Sequence, residues 1–256
     1  LSGRSPRQVA MSSSPQQLTT ALDAMDRAFA REAPFPVEGC TFCYTEEDLA
    51  ELSGPLHLIS DDVVTSVAME VPSHWDDFPR LYRRLTPRII RPVVAGRFHV
   101  DENLIASRLL EAGWTTWDEP LADALHDVWS AWWTATLHTH PSPVPARETL
   151  SLITVATNSL RPWLDRWAAT RTPAADAHLA DLVDDVMFEF EITDLRMGFY
   201  NEYHATEELL GWLLTEARGR VDDARLNDPG LLAHYRAAFP GRSGLGPDAR
   251  GHGTTS

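Results

Sequence analysis

The chain has 256 residues, 43% of them hydrophobic and 23% charged, which is the balance of a globular protein and excludes a disordered one. Its net charge of −15 opposes nucleic acid and anionic lipid, and all 22 basic residues are arginine, which excludes Schiff-base chemistry and a phosphate-loop lysine. No apolar run approaches the roughly 18 residues of a membrane span and no secretion signal is read, so a cytoplasmic protein with reduced thiols is expected.

In chain order, residues 1–14 read as a disordered N-terminal segment, with Leu1–Ala10 ahead of Met11 read as an appended remnant. A single all-α domain is predicted over 15–239, and a Gly-rich, polar, disordered tail over 240–256. The predicted helices cover 16–32, 46–53, 61–71, 75–85, 87–95, 102–112, 118–139, 147–158, 160–170, 174–191, 205–217 and 229–238. The clearest carries Leu179, Leu182, Val183, Val186, Met187 and Phe190 on one stripe at a period of 3.6 residues. Breakers at Pro34, Pro36, Gly54-Pro55, Pro72, Gly96, Gly113 and Gly219 separate the segments, and the proline run at 141–145 marks a candidate subdomain break. No alternating strand pattern is read. The expected architecture is an irregular antiparallel helical bundle or a short HEAT-like α-α array, with a faint repeat between Arg91-Pro92 and Arg161-Pro162.

Cys40-Thr-Phe-Cys43 is the sharpest chemical motif. It precedes a predicted helix whose start carries Thr45 and Asp48 at capping-box spacing, and a thiol near a helix N-terminus has its thiolate stabilised. Helical disulfide reductases of the alkylhydroperoxidase-D type place a histidine four residues after the second cysteine; Glu47 stands there instead. As a metal site the pair needs further ligands, and His57 and His74 are the nearest downstream histidines, which makes zinc the candidate cofactor. Asp184-Asp185 with Glu189 forms a loose magnesium-type carboxylate motif, but Asp181, Asp185 and Glu189 fall opposite the apolar stripe, as on a solvated face. His126-Asp127 has the dyad of helical metal phosphohydrolases without the distant partners. Trp129, Trp132, Trp133, Trp163 and Trp167 recur at helical spacing, which suits either a core or a ligand groove.

Five segments carry a resemblance: Cys40-x-x-Cys43, Leu52-Ser-Gly-Pro55-Leu56, Asp61-Asp62, His74-Trp75-Asp76-Asp77-Phe78 and Leu85-Thr-Pro87-Arg88. Together they resemble a family of uncharacterised bacterial helical proteins, with His74-Trp75 where that family has Thr-Trp. The resemblance implies a shared helical fold and a role for the CxxC region, and it implies no activity. Trp75 and Phe78, three apart, are expected on one side of a helix start. Asp77 is expected to cap that helix or to pair with Arg80, Arg84 or Arg88.

The expected function is a non-enzymatic helical module that binds a protein or small ligand, with an acidic face for a basic partner. The alternatives are a thiol-redox or zinc protein centred on Cys40 and Cys43, and a metal-dependent helical hydrolase.

Overall fold

The computed structural model describes residues 13–188, 194–216 and 219–221. The predicted helix at 229–238, the tail at 240–256, Glu189 and Phe190 lie outside the described residues, as do the side chains of Val186 and Met187.

Among the described residues the chain folds into α1 (Ser14–Phe29), α2 (Glu46–Ser53), α3 (Asp61–Met69), α4 (Phe78–Val94), α5 (Glu102–Glu111), α6 (Glu119–Leu137), α7 (Ala146–Thr157), α8 (Arg161–Ala169), α9 (Pro173–Phe188) and α10 (Thr206–Glu216). Short 3-10 turns at Leu56–Leu58 and Pro72–His74 flank α3. The fold is an all-α bundle. Helix α1 packs most extensively on α6, far along the chain, whereas in a solenoid each repeat contacts only its neighbours; α5 packs on α7. The proline run lies in the connection between α6 and α7, and residues on both sides of it share one continuous hydrophobic core.

The five tryptophans at helical spacing are buried, so they form core and not a groove. The Trp133 indole N–H donates to the Trp163 carbonyl at 3.0 Å, and that of Trp167 to the Ala175 carbonyl at 3.0 Å. These two buried donors are thereby satisfied.

Three expectations are corrected. The predicted helices 75–85 and 87–95 are one helix, α4, which runs through Pro87 and Pro92. A proline inside a helix costs about 3 kcal/mol. Here burial of Leu81, Tyr82, Leu85, Ile89, Ile90 and Val93 along the same helix outweighs it. Arg91-Pro92 therefore sits inside a helix while Arg161-Pro162 starts one, and the two are not structural repeats. Finally, a two-stranded antiparallel ribbon exists, β1 (Arg196–Met197) with β2 (Tyr203–His204), too short for an alternation to register.

The segment that positions the cysteines is pinned by arginines of α4. The Arg84 guanidinium is buried and donates to the carbonyls of Leu52 and Gly54 at the end of α2. Arg88 donates to the Leu56 carbonyl at 2.8 Å and to the Asp61 carboxylate at 2.5 Å. These bonds occupy carbonyls that a helix end leaves without partners.

Candidate metal centre

The chain approaches the site twice, and the two passes are stitched together. Gly39 and Trp75 form an isolated antiparallel bridge, the Cys40 N–H donates to the His74 carbonyl at 2.8 Å, and the Asp76 N–H donates to the Glu38 carbonyl at 3.2 Å. Gly39 is required for this approach. A Cβ there would stand 2.7 Å from the Trp75 ring and 2.8 Å from the His74 carbonyl oxygen. Below the bridge, the rings of Tyr44 and Trp75 pack 4.4 Å apart, which gives the site an apolar base.

The CxxC segment closes into a tight turn. The N–H groups of Cys43 and Tyr44 both donate to the Cys40 carbonyl, at 3.1 and 3.0 Å. Backbone N–H groups of Phe42 and Cys43 aim at the Cys40 sulfur and lower its pKa, with a further contribution from the Cys43 thiol. The Cys43 thiol is pushed up, first by its hydrogen bond with Cys40. The stabilising groups are thus amides of the turn itself. Helix α2 begins only at Glu46, and its first turn is acidic, so its N-terminus is not the source expected from the sequence. The capping box at Thr45 and Asp48 forms as read: the Asp48 N–H donates to the Thr45 hydroxyl at 3.1 Å and the Thr45 N–H to the Asp48 carboxylate at 2.9 Å.

His74 meets this turn from the second pass. Its Nδ1 lies 3.6 Å from the Cys43 sulfur and 3.1 Å from Glu70 Oε1. One ligand atom from each of Cys40, Cys43 and His74 lies within 4.8 Å of the others. Tetrahedral zinc with Zn–S near 2.3 Å and Zn–N near 2.0–2.1 Å requires sulfur and nitrogen about 3.6 Å apart, so the spacing fits the ion. Glu70 stands beside His74 and outside the three-residue group. The Tyr44 hydroxyl donates to its Oε2 at 3.4 Å, and the Val71 N–H donates to its Oε1 at 2.9 Å. Burial pushes the Tyr44 phenol up to about 12, so it stays protonated and keeps donating. The Glu70 charge opposes the lowering at Cys40 and adds to the rise at Cys43, as the smallest contribution at each.

Of the residues proposed from sequence, Cys40, Cys43 and His74 come together and His57 does not. His57 is exposed in the 3-10 turn Leu56–Leu58 and faces a separate cleft of about 440 Å³, shared with Pro34, Arg88 and Arg91. Trp75 is buried as expected, but it precedes the helix in extended backbone; the helix starts at Phe78, with Asp77 as its cap accepting the Arg80 N–H at 3.2 Å. Arg88 pairs with Asp61 and not with Asp77. His126 and Asp127 are both exposed on α6, away from any His, Cys or carboxylate group with metal-ligand spacing among the described residues. Sequence reasoning missed Glu70, whose position four residues before His74 was the available signal.

Comparison with protein-family models, curated proteins and solved structures finds no match. No helix among the described residues is long and apolar enough to cross a membrane.

Proposed function

We propose that the protein is a zinc-stapled, non-catalytic helical interaction module, with Cys40, Cys43 and His74 as ligands and Glu70, 3.1 Å from His74 Nδ1, as the residue that would move in to close the fourth position. The observation that carries this reading is the 3.6 Å separation of the Cys43 sulfur and His74 Nδ1 within a turn that already stabilises the Cys40 thiolate. With Glu70 moved in, four protein ligands would leave no open position for substrate, which is the pattern of a structural site and not of a catalytic one. Two thiolates and one carboxylate around a neutral imidazole would be left with a single negative charge by a divalent ion. The metal would lock the Gly39–Trp75 bridge and hold Phe42, 96% exposed in the turn, as an apolar contact residue. Reduced thiols suit the cytoplasm, and the negative charge suits a basic protein partner over nucleic acid.

The test is the metal content of protein purified under reducing conditions without added metal. Zinc bound by the Cys40 and Cys43 thiols, and lost from this site in the Cys40→Ser/Cys43→Ser variant, is the expected result. Unchanged zinc content in the variant, or metal-free wild-type protein that binds no zinc on addition, contradicts it.

One observation favours a thiol–disulfide reading as the second choice: the Cys40 thiol is lowered while that of Cys43 is raised. In that chemistry the Cys40 thiolate would attack a substrate disulfide and release one substrate thiolate; Cys43 would then attack the Cys40 sulfur of the mixed disulfide and expel the second substrate thiolate as the internal disulfide forms. Zinc that shields both thiols from a disulfide reagent excludes it; rapid formation of a Cys40–Cys43 disulfide in metal-loaded protein favours it.

A further inference from the structure

A second group of ligands lies far along the chain from the cysteines. His140 follows α6, and His178 and Asp181 stand three apart on α9. One ligand atom from each lies within 4.8 Å of the others, and the two imidazole rings meet edge to face at 4.6 Å. His140 Nε2 is 2.8 Å from the Asp181 carboxylate. His178 is only 4% exposed, and its Nε2 lies 3.1 Å from the Thr136 carbonyl and 2.8 Å from the Thr139 carbonyl.

The carbonyls decide the protonation of His178. Both can only accept, so Nε2 carries the proton and donates. The neutral ring then holds its lone pair on Nδ1. A metal-binding histidine is held in this way, its second nitrogen donating to backbone carbonyl while the first faces the ion. Burial favours the same neutral form. His140 and Asp181 are partly open to solvent, with side chains 31% and 62% exposed, which leaves an entry path for an ion. Two imidazoles and one carboxylate form a set that suits a first-row divalent transition metal, whereas magnesium and calcium prefer all-oxygen sites.

We infer that His140, His178 and Asp181 form a second divalent transition-metal site, linking α9 to the end of α6 and independent of the cysteine centre. His178 binds through Nδ1. His140 exchanges its contact with Asp181 for the shared ion, and any proton on the ligating nitrogen leaves to solvent.

Cobalt(II) titration of the full-length, chelator-stripped protein tests this directly. The Cys40→Ser/Cys43→Ser variant removes the sulfur ligands and should still bind one equivalent of cobalt. Its spectrum should carry weak visible d–d bands and lack the near-ultraviolet sulfur-to-cobalt charge-transfer band. Adding Asp181→Asn, a change at an exposed side chain, should weaken that binding by about 100-fold or more, as expected for a lost ligand. Binding unaffected by Asp181→Asn, or no cobalt bound by the double cysteine variant, overturns the inference. Failure of the cysteine centre reads out separately, as wild-type protein that lacks the charge-transfer band.

Discussion

At the scale of single residues, the two thiols of the CxxC turn differ because only Cys40 receives backbone N–H groups. In metal-free protein, Cys40 should be alkylated faster than Cys43 below pH 8.5, where a free thiol is mostly protonated. Mass spectrometry of partly alkylated protein across pH 6–9 checks this; equal rates would contradict the assignment. Gly39 is the second sensitive residue. Gly39→Ala places a methyl carbon against the Trp75 ring and the His74 carbonyl, so the bridge has to open. Zinc affinity should fall at least tenfold, measured by competition with a chromophoric chelator, because His74 is carried on the displaced strand. His178 gives a pH signature. Its pKa is lowered, mainly by burial, with the Thr139 and Thr136 carbonyls and Asp181 opposing and His140 lowering it further. The unfolded chain therefore binds more protons than the folded one just below pH 6.5, the ordinary histidine value. Stability of the metal-free protein should fall as pH drops through 6.5 toward the lower folded value. Chemical denaturation at pH 7 and pH 5.5 measures the loss, and His178→Gln should reduce it.

At the scale of elements, the pass through Trp75 and the start of α4 is a packing device. Trp75 is buried and stacked on Tyr44, and Phe78 packs 5.1 Å from Tyr82. Trp75→Ala should cost about 3–5 kcal/mol. Thermal melting reads the result, and an unchanged melting temperature would show that the ring is not holding the fold. Arg84→Met keeps the apolar stem but abandons the carbonyls of Leu52 and Gly54. Leaving a buried acceptor unpaired costs about 1–3 kcal/mol, and two are abandoned, so a loss comparable to that of Trp75→Ala is expected in the same assay. Local elements were largely legible in the sequence, because capping and periodicity are local physics. The Thr45–Asp48 box and the stripe at Leu179, Leu182 and Val183 appear where they were read. The continuity of α4 through Pro87 is not legible locally, because the local cost of a proline is real and only burial of α4 by the rest of the molecule overrides it.

At the scale of the whole molecule, legibility falls with distance along the chain. Cys40 and Cys43 announce themselves by spacing, but His57 and His74 are equally plausible partners until the Gly39–Trp75 bridge selects His74. Glu70 joins by hydrogen bonds that depend on that register, and the meeting of His140 with Asp181 depends on how α9 packs on α6. One zinc ion holding the two passes at Cys40 and His74 is what ties the molecule's proposed function together. Zinc K-edge X-ray absorption on the full-length Asp181→Asn protein loaded with one equivalent isolates that centre. Two sulfur ligands near 2.3 Å and two nitrogen or oxygen ligands near 2.0–2.2 Å are expected. A shell of nitrogen and oxygen alone, with no sulfur, would contradict the claim.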